Sequence, residues 1–286
     1  MARSGNEQVS YRRAPNFLTA NEPEKRLDIR LSYKSFRALE EQALTLYGIS
    51  PVEYSATDSR VTIYTAPTAL HGYSAVNLQQ AISFAVYNIL VQHQKQELFE
   101  RIVAVGESTY SSVNDQGRRS TKTPDAGLSY YYDGGTVLTI IMEVGASEGY
   151  THLNADILLW MNEFHCRTAI LFYNKECPKF KFPGNADTYS INDRPALEHT
   201  WFGTLDTAVL EVFKRDQNTD TCKMVVQGGS LDIGLTIGDV LPPNEDAIQD
   251  IRGERVHLRI NFVRNMLASG SHDTAVSRFN HFIGED

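Results

Sequence analysis

The chain has 286 residues, of which 42% are hydrophobic and 22% are charged, and its formal net charge at pH 7 is -8. This length and composition predict a folded protein with one large core or two modest ones. No apolar run reaches about eighteen residues, so no membrane span is expected. Residues 1–21 are polar and basic, unlike a secretory signal, which favours an intracellular protein, cytoplasmic or nuclear. The net acidity argues against broad electrostatic binding of nucleic acid, which relies on a basic face.

The first third of the chain predicts a helix, a hairpin and a longer helix. Residues 1–27 lack apolar periodicity and are predicted to form a flexible N-terminal arm. An amphipathic pattern predicts a short helix over residues 32–46, and alternating residues predict a hairpin of strands 52–56 and 60–66. The longest helix is predicted over residues 74–100, which contain neither Gly nor Pro.

The middle of the chain predicts a hairpin between two further elements. Residues 102–112 have strand character, and a polar loop is expected over residues 111–123. Residues 124–144 predict two strands joined by a tight turn. A helical pattern then covers residues 149–164, and a short apolar strand is predicted over residues 167–173.

The last part of the chain predicts a long insertion and a few short elements. Residues 174–200 are rich in Pro, Asn, Asp and Lys, and a loop of this length is uncommon unless it has a function or order of its own. Strands are predicted at 207–215 and 222–226, a short segment at 235–240, and a strand followed by a helix within 256–282.

These patterns predict one α/β (α+β) domain, because no linker strong enough to split the chain is present. The domain is expected to cover residues 28–245, and residues 246–286 are expected to extend it with a strand and a helix.

Two acidic residues mark the two ends of the predicted 124–144 hairpin. Asp125 follows Pro124 at its start, and Glu143 stands near the end of the apolar run 136–144. A carboxylate at the end of a buried strand costs roughly several kcal/mol unless it is paired, protonated or bound to a metal. The two acids are therefore expected to meet across the hairpin. The simpler interpretations stay open: Asp125 as a turn residue, and Glu143 with its carboxylate in solvent.

An ordered set of residues carries a resemblance to a known family. The set is Tyr33, Phe36 and Leu39, then Glu53, then Ala66, Pro67 and His71, then Pro124 and Asp125, then Glu143, Val144 and Ser147, and finally Trp160 and Ile170. Their order of helix, strand, hairpin with Asp and then Glu, helix and strand resembles the core of the PD-(D/E)XK nuclease superfamily. It is most similar to the Uma-type restriction endonuclease family within it, over roughly residues 30–240.

The resemblance implies a fold and an activity. The fold would be a restriction-endonuclease-like core, in which helices flank a mixed central sheet, with an N-terminal hairpin and a C-terminal extension. The activity would be hydrolysis of DNA phosphodiesters by one or two Mg²⁺ or Mn²⁺ ions held by Asp125 and Glu143. The backbone carbonyl of Val144 would be a third ligand.

The chain departs from the family motif at its lysine. The position two residues after Glu143 is Gly145, and the position four residues before Trp160, where the Uma-type branch often has the lysine, is Asp156. An aspartate cannot offset transition-state charge as a lysine does. Lys122 is the nearest replacement along the sequence. Alternatively, Asp156 would join the other two acids in a three-carboxylate metal site.

Other members of the set have several interpretations. Glu53 is either an additional metal ligand or a cross-strand partner. Ser147 is expected to be the N-cap of the following helix, and His71 to cap or brace the long helix.

Two alternatives to an active nuclease remain open at the level of sequence. The absent lysine favours a catalytically inactive protein that keeps the nuclease-like fold as a binding or regulatory module. The insertion 174–200 would suit an intracellular regulator that binds a protein partner. DNA, a protein partner and a second copy of the chain in a homodimer are thus the partners to test, and no membrane is expected.

Overall fold

The computed structural model describes most of the chain outside the N-terminus and the 182–200 segment. The described residues are 26–47, 52–64, 67–106, 108–113, 117, 119–132, 134–145, 149–181, 201–216, 221–227, 232–242 and 245–283. The predicted arm up to residue 25, Ser147, and residues 182–200 of the predicted insertion therefore lie outside them.

The described residues form strands and helices that alternate irregularly along the chain. In chain order they are β1 (Arg26–Arg30), α1 (Tyr33–Tyr47), β2 (Val52–Ser55), β3 (Arg60–Tyr64), α2 (Ala69–Gln92), β4 (Ile102–Val105), β5 (Tyr110–Val113), β6 (Arg119–Lys122), β7 (Ala126–Tyr132), β8 (Gly135–Gly145), α3 (Tyr150–Asn162), β9 (Thr168–Cys177), β10 (Thr204–Asp216), β11 (Thr221–Gln227), β12 (Asp232–Thr236), α4 (Ile237–Val240), β13 (Arg255–His257) and α5 (Ile260–Ile283).

The first sheet is antiparallel and has its own small core. Its strand order is β1-β3-β2-β6-β5. Helix α1 covers it, with Phe36 and Leu39 packed against Tyr54, Val61 and other buried residues of the strands. The predicted helix and the predicted 52–66 hairpin are both present.

The second sheet is mixed and has helices on both faces. Its order is β11-β10-β9-β8-β7-β4, in which β8 and β9 are parallel and the other pairs antiparallel. Ile140, Met142 and Val144 of β8 pack in the core that contains α2, whereas Ile141 packs in the core that contains α3. A strand buried on both faces is apolar at almost every position, which explains the long apolar run before Glu143. The predicted mixed α/β class is confirmed.

The structure changes several predicted boundaries. Helix α2 begins at Ala69 and ends at Gln92, and a separate 3₁₀ helix follows at Gln96–Arg101. The predicted strand 102–112 is two strands, β4 and β5, which lie in different sheets. The predicted loop 111–123 contains β6.

Two other predicted bounds also differ, whereas the predicted C-terminal strand and helix are present as β13 and α5. Strand β1 begins at Arg26, inside the predicted arm, and β9 extends to Cys177, inside the predicted insertion. The C-terminal extension belongs to the main domain, because Val256, Leu258 and Met266 pack in the same core as α2. No helix among the described residues is both long and apolar enough to cross a membrane.

Gly127→Ala tests the close approach of β7 and β8, which positions the hairpin acids. A Cβ atom at position 127 would lie 2.5 Å from the carbonyl oxygen of Ile140, so the backbone must shift. We expect the free energy of unfolding to fall by about 1–3 kcal/mol, measured by urea denaturation. Gly253→Ala is the matched control, because a Cβ there meets no atom within 4 Å. Equal losses in both variants would contradict the packing argument.

Candidate functional site

Lys122 lies at the centre of a group of buried acidic side chains. It is the last residue of β6 and is 1% exposed. Its ammonium nitrogen Nζ is 3.0 Å from Glu53 Oε2, 3.4 Å from Glu143 Oε1 and 3.7 Å from Asp156 Oδ2. One ammonium therefore forms ion pairs with three carboxylates. The predicted replacement for the motif lysine lies beside Glu143.

Strand pairing brings Glu53 and Lys122 together within the first sheet. Tyr54 of β2 is opposite Thr121 of β6 in an antiparallel pair, so Glu53 and Lys122 are the next facing residues. Glu53 also accepts a hydrogen bond of 3.0 Å from the backbone N–H of Thr123 through Oε1. It is thus a cross-strand partner of the lysine, which was one of its two predicted roles.

Asp125 and Glu143 meet across the β7–β8 hairpin. Ala126 is opposite Met142, so Asp125, the residue before β7, is next in line with Glu143. A β-bulge between Leu128 and Ser129 produces this register, because the pairing at the turn, Tyr132 with Gly135, would otherwise place Asp125 opposite Met142. Asp125 Oδ2 accepts a hydrogen bond of 2.7 Å from the backbone N–H of Val144. The N–H and C=O of a strand residue point to the same side, so the Val144 carbonyl also leaves the strand towards β7.

His71 supports Asp125 from the first turn of α2. Its Nε2 lies 3.0 Å from Asp125 Oδ1. The N-cap of α2 is Thr68, whose side chain accepts from the backbone N–H of His71, so His71 does not cap the helix. Asp125 is the most accessible of the acids, with a side chain 23% exposed against 6% for Glu143.

Further polar groups bind the acids that face Lys122. Arg26 NH1 donates a hydrogen bond of 2.9 Å to Asp156 Oδ2, and the hydroxyl of Tyr64 donates to both Glu53 and Asp156 at 3.1 and 3.3 Å. The indole N–H of Trp160 donates to Glu143 Oε1. The sequence indicated none of these donors, although the alternation of charged and apolar residues from Arg26 to Leu31 is a typical strand pattern.

Burial and the neighbouring charges act in opposite directions on the pKa of the lysine and include both signs of effect on the pKa of Glu143. Burial, together with Asp125, Asp156 and Glu53, raises the pKa of Glu143 well above its ordinary value despite Lys122. Burial opposes ionisation of Lys122, but the three surrounding carboxylates raise its pKa well above the ordinary lysine value. Lys122 is therefore protonated at neutral pH.

The pKa of Asp125 is shifted in the opposite direction, below its ordinary value. Burial would raise its pKa, but His71, the N–H of Val144 and Lys122 together hold it below its ordinary value. Asp125 is therefore the acid that stays ionised, while Glu143 retains a proton more readily. The hairpin thus places two carboxyl groups of different acidity opposite each other, a pattern found where carboxyl groups bind ions or transfer protons.

The donor set fits a hard cation held by two carboxylates. Among the described residues, no group of three or more His, Cys, Asp or Glu side chains could hold a metal ion, so Asp156 does not complete a three-carboxylate site and Glu53 adds no ligand. Asp156 instead pairs with Arg26. Mg²⁺ is commonly bound by one or two carboxylates and several waters, and Asp125 and Glu143 are the two carboxylates that the hairpin would offer to such an ion.

Helix α3 begins differently from the prediction. Its N-cap residue is Gly149, which makes no side-chain cap hydrogen bond, so the N-cap is two residues beyond Ser147. The prediction of an N-cap at Ser147 was wrong, because the first residue of the helix is Tyr150 and the N-cap immediately precedes it.

Comparison with models of known protein families gives no match to this chain. Comparison with curated proteins gives no match either. Function is therefore inferred from the geometry of the site.

Lys122→Met tests whether the lysine holds the acids together. Without the ammonium, Glu53, Glu143 and Asp156 are buried with their charge less well compensated, and we expect the free energy of unfolding to fall by about 3–5 kcal/mol. Urea denaturation at neutral pH measures it. Lys34→Met removes an exposed lysine of α1 and should change stability by less than about 0.5 kcal/mol. Similar stability of the two variants would show that the ammonium is dispensable.

The raised pKa of Glu143 predicts a pH-dependent stability in the presence of a chelator. Because the folded-state pKa lies above the ordinary value of 4.5, the contribution of Glu143 favours folding below that pH and is lost as the pH rises through the raised pKa. Glu143→Gln stays neutral, so its melting temperature should fall less than that of the wild type between pH 5 and pH 8. Glu100→Gln, at an exposed position, should follow the wild type. Parallel curves for all three proteins would contradict the assignment.

Proposed function

We propose that the protein is a divalent-metal-dependent nuclease of restriction-endonuclease-like fold that hydrolyses DNA phosphodiesters. Asp125 and Glu143 would hold Mg²⁺ or Mn²⁺, and Lys122 would replace the lysine that the motif lacks. The observation that carries the proposal is the position of Lys122, whose Nζ lies 3.4 Å from Glu143 Oε1. A cation is thus present beside the hairpin acids, although it comes from β6.

The order of the elements supports this proposal. Helix α2, strand β4, the β7–β8 hairpin with its two acids, helix α3 and strand β9 occur in this order along the chain, with β5 and β6 of the first sheet between β4 and the hairpin. Strand β9 lies parallel to β8, beside the strand that carries Glu143. This is the order of elements from which the resemblance to the nuclease superfamily was drawn.

The charge of Lys122 defines what it can do in such a reaction. Its raised pKa keeps it protonated at neutral pH, so it cannot act as a general base. A fixed ammonium in a buried site instead stabilises negative charge that develops on a phosphate or a nucleophile. Glu53 and Asp156 hold it in place, and these two acids therefore act as positioning residues.

Asp125 is the part of the site that a metal ion can reach from solvent. Asp125 is partly exposed and ionised, and a metal ion bound by it and by Glu143 would activate water and stabilise charge on the phosphate. Glu143 must lose its proton to act as a ligand. We therefore expect metal affinity to rise with pH.

The burial of Lys122 and Glu143 favours one second candidate. Their side chains are 1% and 6% exposed, and both are already engaged with other groups of the protein. A catalytically inactive protein that retains the nuclease-like fold as a binding or regulatory module would have this arrangement. Binding of metal without cleavage of DNA would identify this second candidate.

The test compares metal binding with cleavage in the same variants. Calorimetric titration with Mn²⁺ should show saturable binding to the wild type, and binding should be weaker by about tenfold or more in Asp125→Asn because a charged ligand is lost. Cleavage of supercoiled plasmid and of labelled single-stranded DNA should require Mg²⁺ or Mn²⁺ and should be lost in Asp125→Asn.

Two further variants separate catalysis from folding. Lys122→Arg keeps a cation for the buried acids, and we expect it to bind Mn²⁺ like the wild type but to cleave about 100-fold more slowly. Asp246→Asn, which removes an exposed acid, should leave both properties unchanged. Absence of saturable Mn²⁺ binding by the wild type, or equal cleavage by wild type and Asp125→Asn, would overturn the nuclease proposal.

A further inference from the structure

A polar cavity lies where β9 begins and β10 ends. Its volume is about 270 Å³, and it is lined by Arg167, Thr168, Lys214, Arg215, Thr236, Gly238, Asp239 and Arg252. Four of these residues are cationic and one is acidic. The local charge is therefore positive on a chain whose net charge is -8.

The guanidinium of Arg167 is bound weakly by neutral groups. NH1 donates to the carbonyl of Leu241 and NH2 to the carbonyl of Gly238, each at 3.4 Å, which is long for a hydrogen bond. Burial and the nearby charge of Arg252 lower the pKa of Arg167. Arg167 and Arg252 both line the cavity, and an anion placed between two cations relieves their mutual repulsion.

Asp239 neutralises only part of this charge. Its Oδ2 accepts from Lys214 Nζ at 2.5 Å, and from the backbone N–H and the hydroxyl of Thr236, each at 2.8 Å. It lowers the cost of keeping Arg167 charged, but its oxygen is already shared by an ammonium and an N-terminal cap. Asp239 is the one acidic residue among those that line the cavity.

The backbone at Gly238 is shaped around Arg252. A Cβ atom at position 238 would lie 2.6 Å from Arg252 Cγ and 3.2 Å from its Nε. The N–H of Gly238 also donates to the carbonyl of Arg252 at 2.9 Å. The absence of a side chain at this position lets Arg252 enter the cavity wall.

We infer that this cavity binds a phosphate group, either as free phosphate or pyrophosphate or as part of a nucleic-acid backbone. Guanidinium groups suit phosphate because their planar fork donates two parallel hydrogen bonds to its oxygens. Arg167 and Arg252 are the principal ligands, and Lys214 and Arg215 add positive charge at the rim.

The cavity is separate from the carboxylate cluster. Thr168 is opposite both Ile140 and Lys214, and Ile140 packs in the core that contains α2. Residues paired on neighbouring strands have their side chains on the same face of the sheet. The side chain of Lys214 therefore lies on the face that α2 covers, called the α2 face. Glu143 points to the α3 face, where it meets Trp160. The inference therefore does not rest on the proposed nuclease activity.

Calorimetric titration of the full chain with inorganic phosphate and with pyrophosphate, in the presence of a chelator, tests the free-ligand source. Fluorescence anisotropy of a labelled single-stranded oligonucleotide at several salt concentrations tests the nucleic-acid source. Arg167→Gln and Arg252→Gln should each weaken binding by about tenfold or more, because a hydrogen bond to a charged group is lost. In the oligonucleotide experiment they should also reduce the salt dependence.

Three controls make the outcomes decisive. Arg264→Gln removes an exposed arginine on α5 and should bind like the wild type. Gly238→Ala, which keeps every charge, should weaken binding by displacing Arg252. Thermal unfolding of each variant shows whether it is folded, and pyrophosphate should raise the melting temperature of the wild type more than that of Arg167→Gln.

Each result either supports or overturns the inference. Arg167-dependent binding of phosphate or pyrophosphate supports it with a small ligand as the source, and Arg167-dependent binding of the oligonucleotide alone supports it with nucleic acid as the source. Lack of saturable binding of any of the three ligands, or equal losses in Arg167→Gln and Arg264→Gln, overturns it.

Discussion

The ammonium of Lys122 joins the two large sheets of the protein. Lys122 and Glu53 belong to the first sheet, and Glu143 belongs to the second. Asp156 reaches the same ammonium from α3, and α3 in turn packs on the second sheet. A charge contact that is almost completely shielded from solvent is thus one of the links between the two sheets, in surroundings where electrostatic interactions are strong and a missing partner is costly.

Stability alone does not account for this cluster. Apolar side chains of similar volume often stabilise a protein as well as a buried ion pair does, because desolvation offsets much of the attraction between the charges. Here four carboxyl groups share Lys122, Arg26 and His71, and burial together with the neighbouring carboxylates raises the pKa of Glu143. An arrangement that leaves one acid with a raised pKa opposite an ionised Asp125 is costly for folding. Such an arrangement is typical of sites that bind or transform a ligand.

The sequence predicted the part of the site that depends on local chain geometry. A tight turn between two strands brings Asp125 and Glu143 to the same end of one hairpin, and the structure has this hairpin. Their facing positions depend on a β-bulge between Leu128 and Ser129, which shifts the register by one residue and which the turn alone does not predict. Lys122 was only a candidate, because β6 is a short polar strand whose sequence is also typical of a loop. Its position depends on the pairing of β6 with β2, which are far apart in the chain. Such long-range contacts have no local signal in one sequence.

The net charge of the chain did not predict the cationic cavity, because a total charge contains no information on which residues lie close together in the fold. A total of -8 describes the whole chain, whereas recognition depends on the charges within a few ångströms of one another, because solvent and salt screen the remainder. Glu143 meets Trp160 on the α3 face of the second sheet, whereas the arginine-lined cavity lies on the α2 face at the start of β9. An acidic protein can therefore present a cationic site where the fold brings several basic side chains together around a single acidic one, as around Asp239 here.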